Sequence, residues 1–261
     1  MRKFASLWCG LCCATTLLAA CVGTETGNPS FEGSLGYDAY SSASAIALQP
    51  SALSVGSVGN TDSDEPARVA VRSAWLVLGE VSLLRDADCT ARAPSSSVAV
   101  QALGTGDHVH SQVPPTKFEL HSGEYCGARL PLVLGAENPT APDRLVDHSL
   151  LVRGTLADGR NFELLSALAL DVTLHADHAF GLSPEHAGVV IGFDLAHWLE
   201  DLAWDQAQAE ASGAVVADEN SNTELLGAFE ARIAGGVGLF RDADNNGLLD
   251  DTKELIAHGD D

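Results

Sequence analysis

The sequence has few basic residues. It contains 14 Lys and Arg against 36 Asp and Glu, which gives a formal net charge of −22. A protein that binds nucleic acid needs basic side chains to replace the counterions of the phosphates, and a chain this acidic repels phosphates. We therefore expect no nucleic-acid partner. The same charge balance favours solubility and the binding of cations.

Motifs of nucleophilic catalysis and nucleotide binding are also missing. The chain has no G-x-S-x-G elbow, no P-loop, no H-E-x-x-H motif and no G-x-G-x-x-G between a strand and a helix. The adjacent acids Glu200 and Asp201 would face different directions on a helix, so they cannot flank one bond together. We expect that the protein is not an enzyme.

The N-terminus has the features of an export signal. Arg2 and Lys3 precede an apolar segment of small residues from Phe4 to Ala20, which runs into Leu-Ala-Ala-Cys at Cys21. This order resembles a bacterial lipoprotein signal peptide, in which the cysteine receives a diacylglycerol and becomes the first mature residue. The resemblance implies a signal peptide over residues 1–20. A retained transmembrane helix is the alternative, but it needs about twenty apolar residues.

Lipidation of Cys21 would hold the protein on a lipid bilayer through its acyl chains, since each buried methylene contributes about 0.8 kcal/mol. Val22 is not the aspartate that is associated with inner-membrane retention in some bacteria. The resemblance therefore favours the outer membrane of a bacterial cell envelope, with the domain facing either the periplasm or the surface.

Two cysteines are left for the domain. Three of the six cysteines lie in the signal segment and Cys21 would carry lipid, so Cys89 and Cys126 remain. In an exported, oxidising compartment two thiols most simply form a disulfide, which stabilises by about 3 to 4 kcal/mol on the chain-entropy model. Metal ligation by the two thiols is the alternative, although a close C-x-x-C spacing is absent.

The chain divides into a tether and a domain. Residues 21–66 are rich in Ser, Gly and Ala without a sustained apolar period, which predicts a flexible tether. Residues 67–220 are rich in strand-like runs, and the turn Asp158-Gly159 between two of them predicts a hairpin. Alternation of apolar and polar residues from Leu168 to His175 indicates another half-buried strand. The other strand-like runs are 67–84, 97–103, 117–120, 125–134, 187–195 and 214–218.

Helical spacing appears towards the C-terminus, first from Ala196 to Ala211. A capping box at Ser221-Asn222-Thr223-Glu224 predicts the start of a second helix, which would run to about Phe240. We therefore predict a mainly β fold: an antiparallel β-sandwich with a helical C-terminal appendage, residues 221–261, packed on the same domain.

Several segments resemble secreted bacterial lipoprotein domains of unknown function that are built as β-sandwiches. They are "WLVLGEVSL", "SGEYCGARLPL" and "LLVRGTLADGRNFEL", and "CVGTETGNP" resembles the leader that follows the anchor in many such lipoproteins. The resemblance implies a fold and a location, and it implies no catalytic residues.

The segment "LFRDADNNGLLDD" carries the most specific chemical signal. Its order from Asp242 is D-x-D-x-N-G-x-x-D, as in an EF-hand calcium loop, with Gly247 at the sixth place. The twelfth place is Lys253 where an EF-hand has a bidentate acid, so the similarity is to a truncated EF-hand or to a shorter acidic calcium loop. A polar surface turn is the alternative. The predicted Ca²⁺ ligands are Asp242, Asp244, Asn246, the carbonyl of Leu248, Asp250, and Asp251 or Glu254.

Histidines offer a second possible metal site. If His108, His110 and His121 converged, they would hold zinc or copper and could activate a water. The surrounding sequence reads as loop and supplies no partner for the rings, so we favour the acidic loop.

These features predict a membrane-anchored, non-enzymatic envelope lipoprotein with one structural calcium-binding loop. It would serve as a binding or surface module for an unidentified protein or glycan partner. The alternatives are an adhesion or ligand-binding sandwich without bound metal, and a metalloenzyme that uses the three histidines.

Overall fold

The computed structural model describes residues 30–42, 46–48, 69–85, 88–92, 99–103, 115–139 and 141–259. Strands dominate these residues, so the prediction of a mainly β fold is confirmed. Short 3-10 turns occur at Asp143–Leu145 and Thr252–Glu254. The elements are β1 Ser30–Tyr40, β2 Ile46–Leu48, β3 Val69–Leu78, β4 Ser82–Arg85, β5 Ala91–Arg92, β6 Ala99–Leu103, β7 Thr116–His121, β8 Gly123–Leu132, β9 Leu150–Leu156, β10 Asn161–Ser166, β11 Leu170–Leu182, β12 Gly188–Asp194, α1 Leu195–Leu199, β13 Val215–Ala217, α2 Thr223–Glu230, β14 Val237–Asp242 and β15 Leu255–Gly259.

The strands belong to one large, mixed and mostly antiparallel sheet. Its order is β13-β10-β9-β3-β8-β11-β15-β14-β12-β1-β7, with β2 and β6 on β3 and with β4 joining β5 to β8. The parallel pairs are β1 with β12, β2 with β3, and β10 with β13. Among the described strands these pairings form one continuous sheet, and they do not show the two separate sheets of a sandwich.

The hairpin predicted around Asp158-Gly159 is confirmed. Strands β9 and β10 pair in antiparallel register, and Gly159 has a φ of +85°, which a residue with a side chain adopts only at a cost. The remaining strand-like runs also fall on strands of the sheet, because their β-branched and leucine side chains fill its core face.

The flexible tether predicted for residues 21–66 is wrong for Ser30–Tyr40. This segment forms β1, which lies between β12 and β7 and is buried from residue 33 to residue 39. Leu35 and Tyr37 belong to the main core. Serine and glycine make the segment look like a linker, but its small residues are needed where other chain segments approach it closely.

The two predicted helices are shorter than expected. The first spans only Leu195–Leu199, and the second ends at Glu230, so the segment Val237–Asp242 is strand β14 and not helix. The chain has already left the helix at Gly236, where glycine is required because a Cβ would lie 2.3 Å from Nε1 of Trp198. That indole nitrogen donates a 3.0 Å hydrogen bond to the carbonyl of Ile233, just before Gly236.

The main apolar core covers most of the sheet, with two smaller apolar clusters beside it, and the two helices pack against the main core. Trp198 of α1 is fully buried and makes an edge contact with Phe229 of α2, with ring centroids 6.2 Å apart. Helix α1 begins at Asp194, whose Oδ1 accepts hydrogen bonds from the N–H groups of Ala196 and His197. This capping satisfies donors that the first turn leaves without partners.

The predicted disulfide between Cys89 and Cys126 is confirmed and joins residues 37 positions apart. Replacing both cysteines with serine should lower the free energy of unfolding by about 3 to 4 kcal/mol, because the open chain gains conformational entropy when it unfolds. Urea unfolding of the oxidised protein and of the double variant measures this difference. An unchanged midpoint at an unchanged slope would contradict the expectation.

Candidate metal-binding loop

The acidic loop, residues 242–251, connects strand β14 to strand β15. Its flanking elements are therefore strands, and the EF-hand arrangement with an incoming helix that ends near Phe240 is wrong. The loop is nevertheless folded by hydrogen bonds from its own side chains.

Asp242 organises the first half of this loop. Its side chain is buried, with 1% exposure. One carboxylate oxygen accepts the N–H of Asn246 at 3.1 Å and the other accepts the N–H of Gly247 at 2.8 Å. Asn245 and Gly247 have φ values of +59° and +78°, so the chain turns sharply through conformations that asparagine and glycine tolerate.

The side chains at the third and fifth places of the loop, Asp244 and Asn246, lie in the same region as the side chain of Asp242. Oδ1 of Asp244 accepts the N–H of Asn246 at 3.2 Å, and its Oδ2 accepts the side-chain amide of Asn246 at 2.9 Å. Oδ1 of Asn246 accepts the N–H of Leu248 at 2.7 Å. The structure thus brings together the first three predicted side-chain ligands, Asp242, Asp244 and Asn246.

The carboxylates of Asp242 and Asp244 interact electrostatically in this turn. Burial raises the pKa of Asp242 above its ordinary value, the N–H of Gly247 opposes that shift, and the side chain of Asp244 raises the pKa further. The ionised pair is therefore less favourable here than in water, and a cation between the carboxylates would relieve the repulsion.

The second half of the predicted ligand set is arranged differently. Asp251 caps the turn Thr252–Glu254 by accepting the N–H of Lys253 at 2.9 Å. Within the described part of the chain, which includes the whole loop, no three side chains of His, Cys, Asp or Glu are grouped so that they could hold a metal ion. Asp250, Asp251 and Glu254 are therefore not gathered with Asp242 and Asp244 as a third acidic ligand.

The loop lies on the outer face of β1 and β12. Gly36 approaches it so closely that a Cβ there would lie 2.2 Å from the carbonyl oxygen of Gly247. The N–H of Leu249 donates a 3.1 Å hydrogen bond to Oδ2 of the buried Asp38. The Leu249 side chain packs in a small apolar cluster with Val190, Phe240 and Tyr40.

Sequence reasoning missed the residues beneath the loop. Ser34, Gly188 and Asp242 stand in register on three neighbouring strands, so their positions share one face of the sheet. Oδ1 of Asn245 lies 2.6 Å from where a Cβ of Gly188 would be. Among the described atoms, the buried hydroxyl of Ser34 has no hydrogen-bond partner. No local signal in the sequence connects Ser34 or Asp38 with a loop about 210 residues later.

Of the three histidines predicted as a metal site, the structure describes His121. His121 lies in β7, and its carbonyl accepts a 2.8 Å hydrogen bond from the Tyr125 hydroxyl. His108 and His110 lie outside the described residues, as do Cys21 and the segment 1–20. Among the helices that the structure describes, none combines the length and the apolar character needed to cross a bilayer.

No family model, curated protein or solved structure matches this chain.

The close contact between Gly36 and the loop can be tested by mutation. Gly36→Ala should destabilise the protein by about 1 to 3 kcal/mol, because the new methyl group overlaps the backbone at Gly247. Gly181→Ala in β11 is the control, since a Cβ there has open space around it. Thermal unfolding of both variants measures the effect, and equal stability of the two would contradict the docking of the loop on β1.

Proposed function

We propose that this protein is a lipid-anchored, non-enzymatic protein of the bacterial envelope whose acidic loop binds a structural Ca²⁺. The main support for this proposal is the turn on the outer face of β1, in which the side chains of Asp242, Asp244 and Asn246 lie close together. Carboxylate and amide oxygens are the donors that Ca²⁺ prefers, and the glycine at the sixth place allows the sharp turn that such loops require.

A bound ion would draw on the rest of the loop. The carbonyl of Leu248 and the carboxylates of Asp250 and of Asp251 or Glu254 would complete six to eight oxygens. Because these acids are not gathered with the first three ligands, closing the coordination sphere requires a local rearrangement after Leu249. That rearrangement supports a modest affinity, on the order of 10⁻⁴ to 10⁻³ M as in extracellular calcium modules.

The proposed role of the ion is to fasten strand β1. Leu249 is tied to Asp38, and Gly247 contacts Gly36, so a loop held by calcium holds β1 against β12. Strand β1 begins nine positions after the proposed anchor at Cys21. Tension on the segment between Cys21 and Ser30 would therefore reach the domain through this strand. The calcium site would reinforce the strand where the chain enters the domain.

The domain would present its sheet as a binding or surface module for a protein or glycan. We infer a sandwich-like layering within the single sheet, in which it folds over one core. The inference is supported by helices α1 and α2, since α1 lies near β1 and α2 near β10 and β13, close to opposite ends of the strand order. An outer-membrane location follows the lipoprotein resemblance of the N-terminus.

Calcium should stabilise the full-length protein in detergent. At a concentration about a hundred times the dissociation constant, binding adds about 2.7 kcal/mol, which corresponds to a rise in Tm of about 5 to 10 °C. Asp244→Asn removes one ligand charge at an exposed position and should reduce this rise by more than half. The measurement is a thermal melt with calcium, with magnesium and with chelator.

The matched control for this experiment is Asp158→Asn, which alters an exposed aspartate in another Asp-containing turn. It should leave the calcium-dependent rise in Tm unchanged. A Tm that is the same with calcium and with chelator in the unaltered protein would refute the metal site.

The anchor is tested separately. Cys21→Ser should abolish acylation and move the protein from the detergent phase to the aqueous phase in a Triton X-114 partition, because the acyl chains supply the membrane affinity. Cys9→Ser, which alters a cysteine inside the proposed signal segment, is the control and should remain in the detergent phase. Retention of the Cys21 variant in detergent would exclude lipidation at this position.

A further inference from the structure

An arginine-lined cavity lies on the outer face of the sheet, away from the acidic loop. It has a volume of about 470 Å³, within the range of small-molecule sites, and strands β3, β9, β10 and β13 form its floor. One residue from each strand lies in register across this floor, namely Ser73, Arg153, Glu163 and Val216. Arg144 reaches the cavity from the turn Asp143–Leu145.

A β-bulge directs two consecutive residues of β3 towards this cavity. Val71 pairs with Gly154 and Ser73 pairs with Arg153, so Arg72 is an extra residue in the strand. Val71 and Ala74 are buried in the core, whereas Arg72 and Ser73 between them both line the cavity. Bulges interrupt the hydrogen-bond ladder and re-aim side chains, and they are frequent next to binding sites.

The three guanidinium groups make few contacts with the described residues around the cavity. Arg153 donates through Nε to Glu163 at 2.6 Å, and Nη2 of Arg144 lies 2.7 Å from the other oxygen of that carboxylate. Both oxygens of Glu163 are thus taken. Arg72 contacts only a neutral acceptor among the described residues, Oδ1 of Asn161 at 3.1 Å.

Each of these arginines uses one of its three side-chain nitrogens in its contacts with described residues. The side chains of Arg144 and Arg153 are 47% and 38% exposed, so their remaining N–H groups can reach a ligand. Guanidinium groups bind oxyanions through two parallel hydrogen bonds, which are stronger than bonds between neutral groups.

We propose that this cavity is a binding site for a small organic carboxylate. Its carboxylate group lies between Arg72 and Arg153 and also accepts a hydrogen bond from the hydroxyl of Ser73. Ala214 and Val216 supply an apolar wall for the rest of the ligand. The site is independent of calcium binding at the acidic loop.

The acidic groups near the cavity select a singly charged ligand over a phosphate. Glu163 and Glu210 line it, and Oδ2 of Asp218 lies 3.8 Å from Arg144. A doubly charged phosphate would be repelled by these carboxylates and by the net charge of the chain. A single carboxylate needs only the guanidinium donors that Glu163 does not use.

Benzoate is a suitable probe because it joins one carboxylate to an apolar ring. Its binding to the full-length protein in detergent is followed by saturation-transfer NMR, with Tm as the measure of folding. We expect saturable binding at millimolar concentrations, displacement by acetate, and no displacement by inorganic phosphate. Arg72→Gln should weaken binding at least about tenfold, because it removes charge-assisted hydrogen bonds, and Arg72→Lys should give an intermediate loss.

Arg129→Gln is the matched control. This arginine is paired with Asp171 on another part of the sheet, so its replacement should change benzoate affinity by less than about twofold. Three results would overturn the proposal: no saturable binding to the unaltered protein, equal affinity in Arg72→Gln and the unaltered protein, or stronger displacement by phosphate than by acetate. The first would leave the arginines as a network that only holds the turn Asp143–Leu145 to the sheet.

Discussion

The closure of the acidic loop over strand β1 is the contact on which the rest of this structure depends. A strand that is buried on both faces needs an apolar core on one side and a cover on the other. Leu35 and Tyr37 face the core, while Gly247 and Leu249 cover the opposite face of the same strand. The loop is therefore part of the packing of the sheet and not a peripheral turn.

Local sequence patterns predicted the elements that form from nearby residues. The hairpin at Asp158-Gly159 follows from its turn, and the strands of the central sheet follow from their β-branched and leucine residues. The helix to Phe240 failed for a physical reason. Leu225, Phe229, Ile233 and Val237 recur at helical spacing, but Gly236 must stay free of a side chain beneath Trp198, and the residues after it pair with β12 and β15.

Strand β1 could not be found in this way because its burial is decided by distant segments. Gly36 is small because the backbone at Gly247 lies against it, and Asp38 is buried because the N–H of Leu249 donates to it. In the acidic loop the order of Asp, Asn and Gly correctly predicted the turn around Asp242. It did not predict where Asp250 and Asp251 lie, since the docking of Leu249 on β1 fixes the chain just before them. The arginine cavity was missed as well, because its side chains come from strands and a turn that are far apart in the sequence.

The parallel pairing of β1 with β12 also sets an order of assembly. Strand β1 is made first by the ribosome, but its neighbour β12 ends at residue 194. Leu249, whose N–H donates to Asp38, lies 211 positions after Asp38. Closing such a long loop is slow and precedes any gain from the contact. Strand β1 therefore cannot pair with β12 until residue 194 has been made, and its outer face stays uncovered until Leu249 has been made.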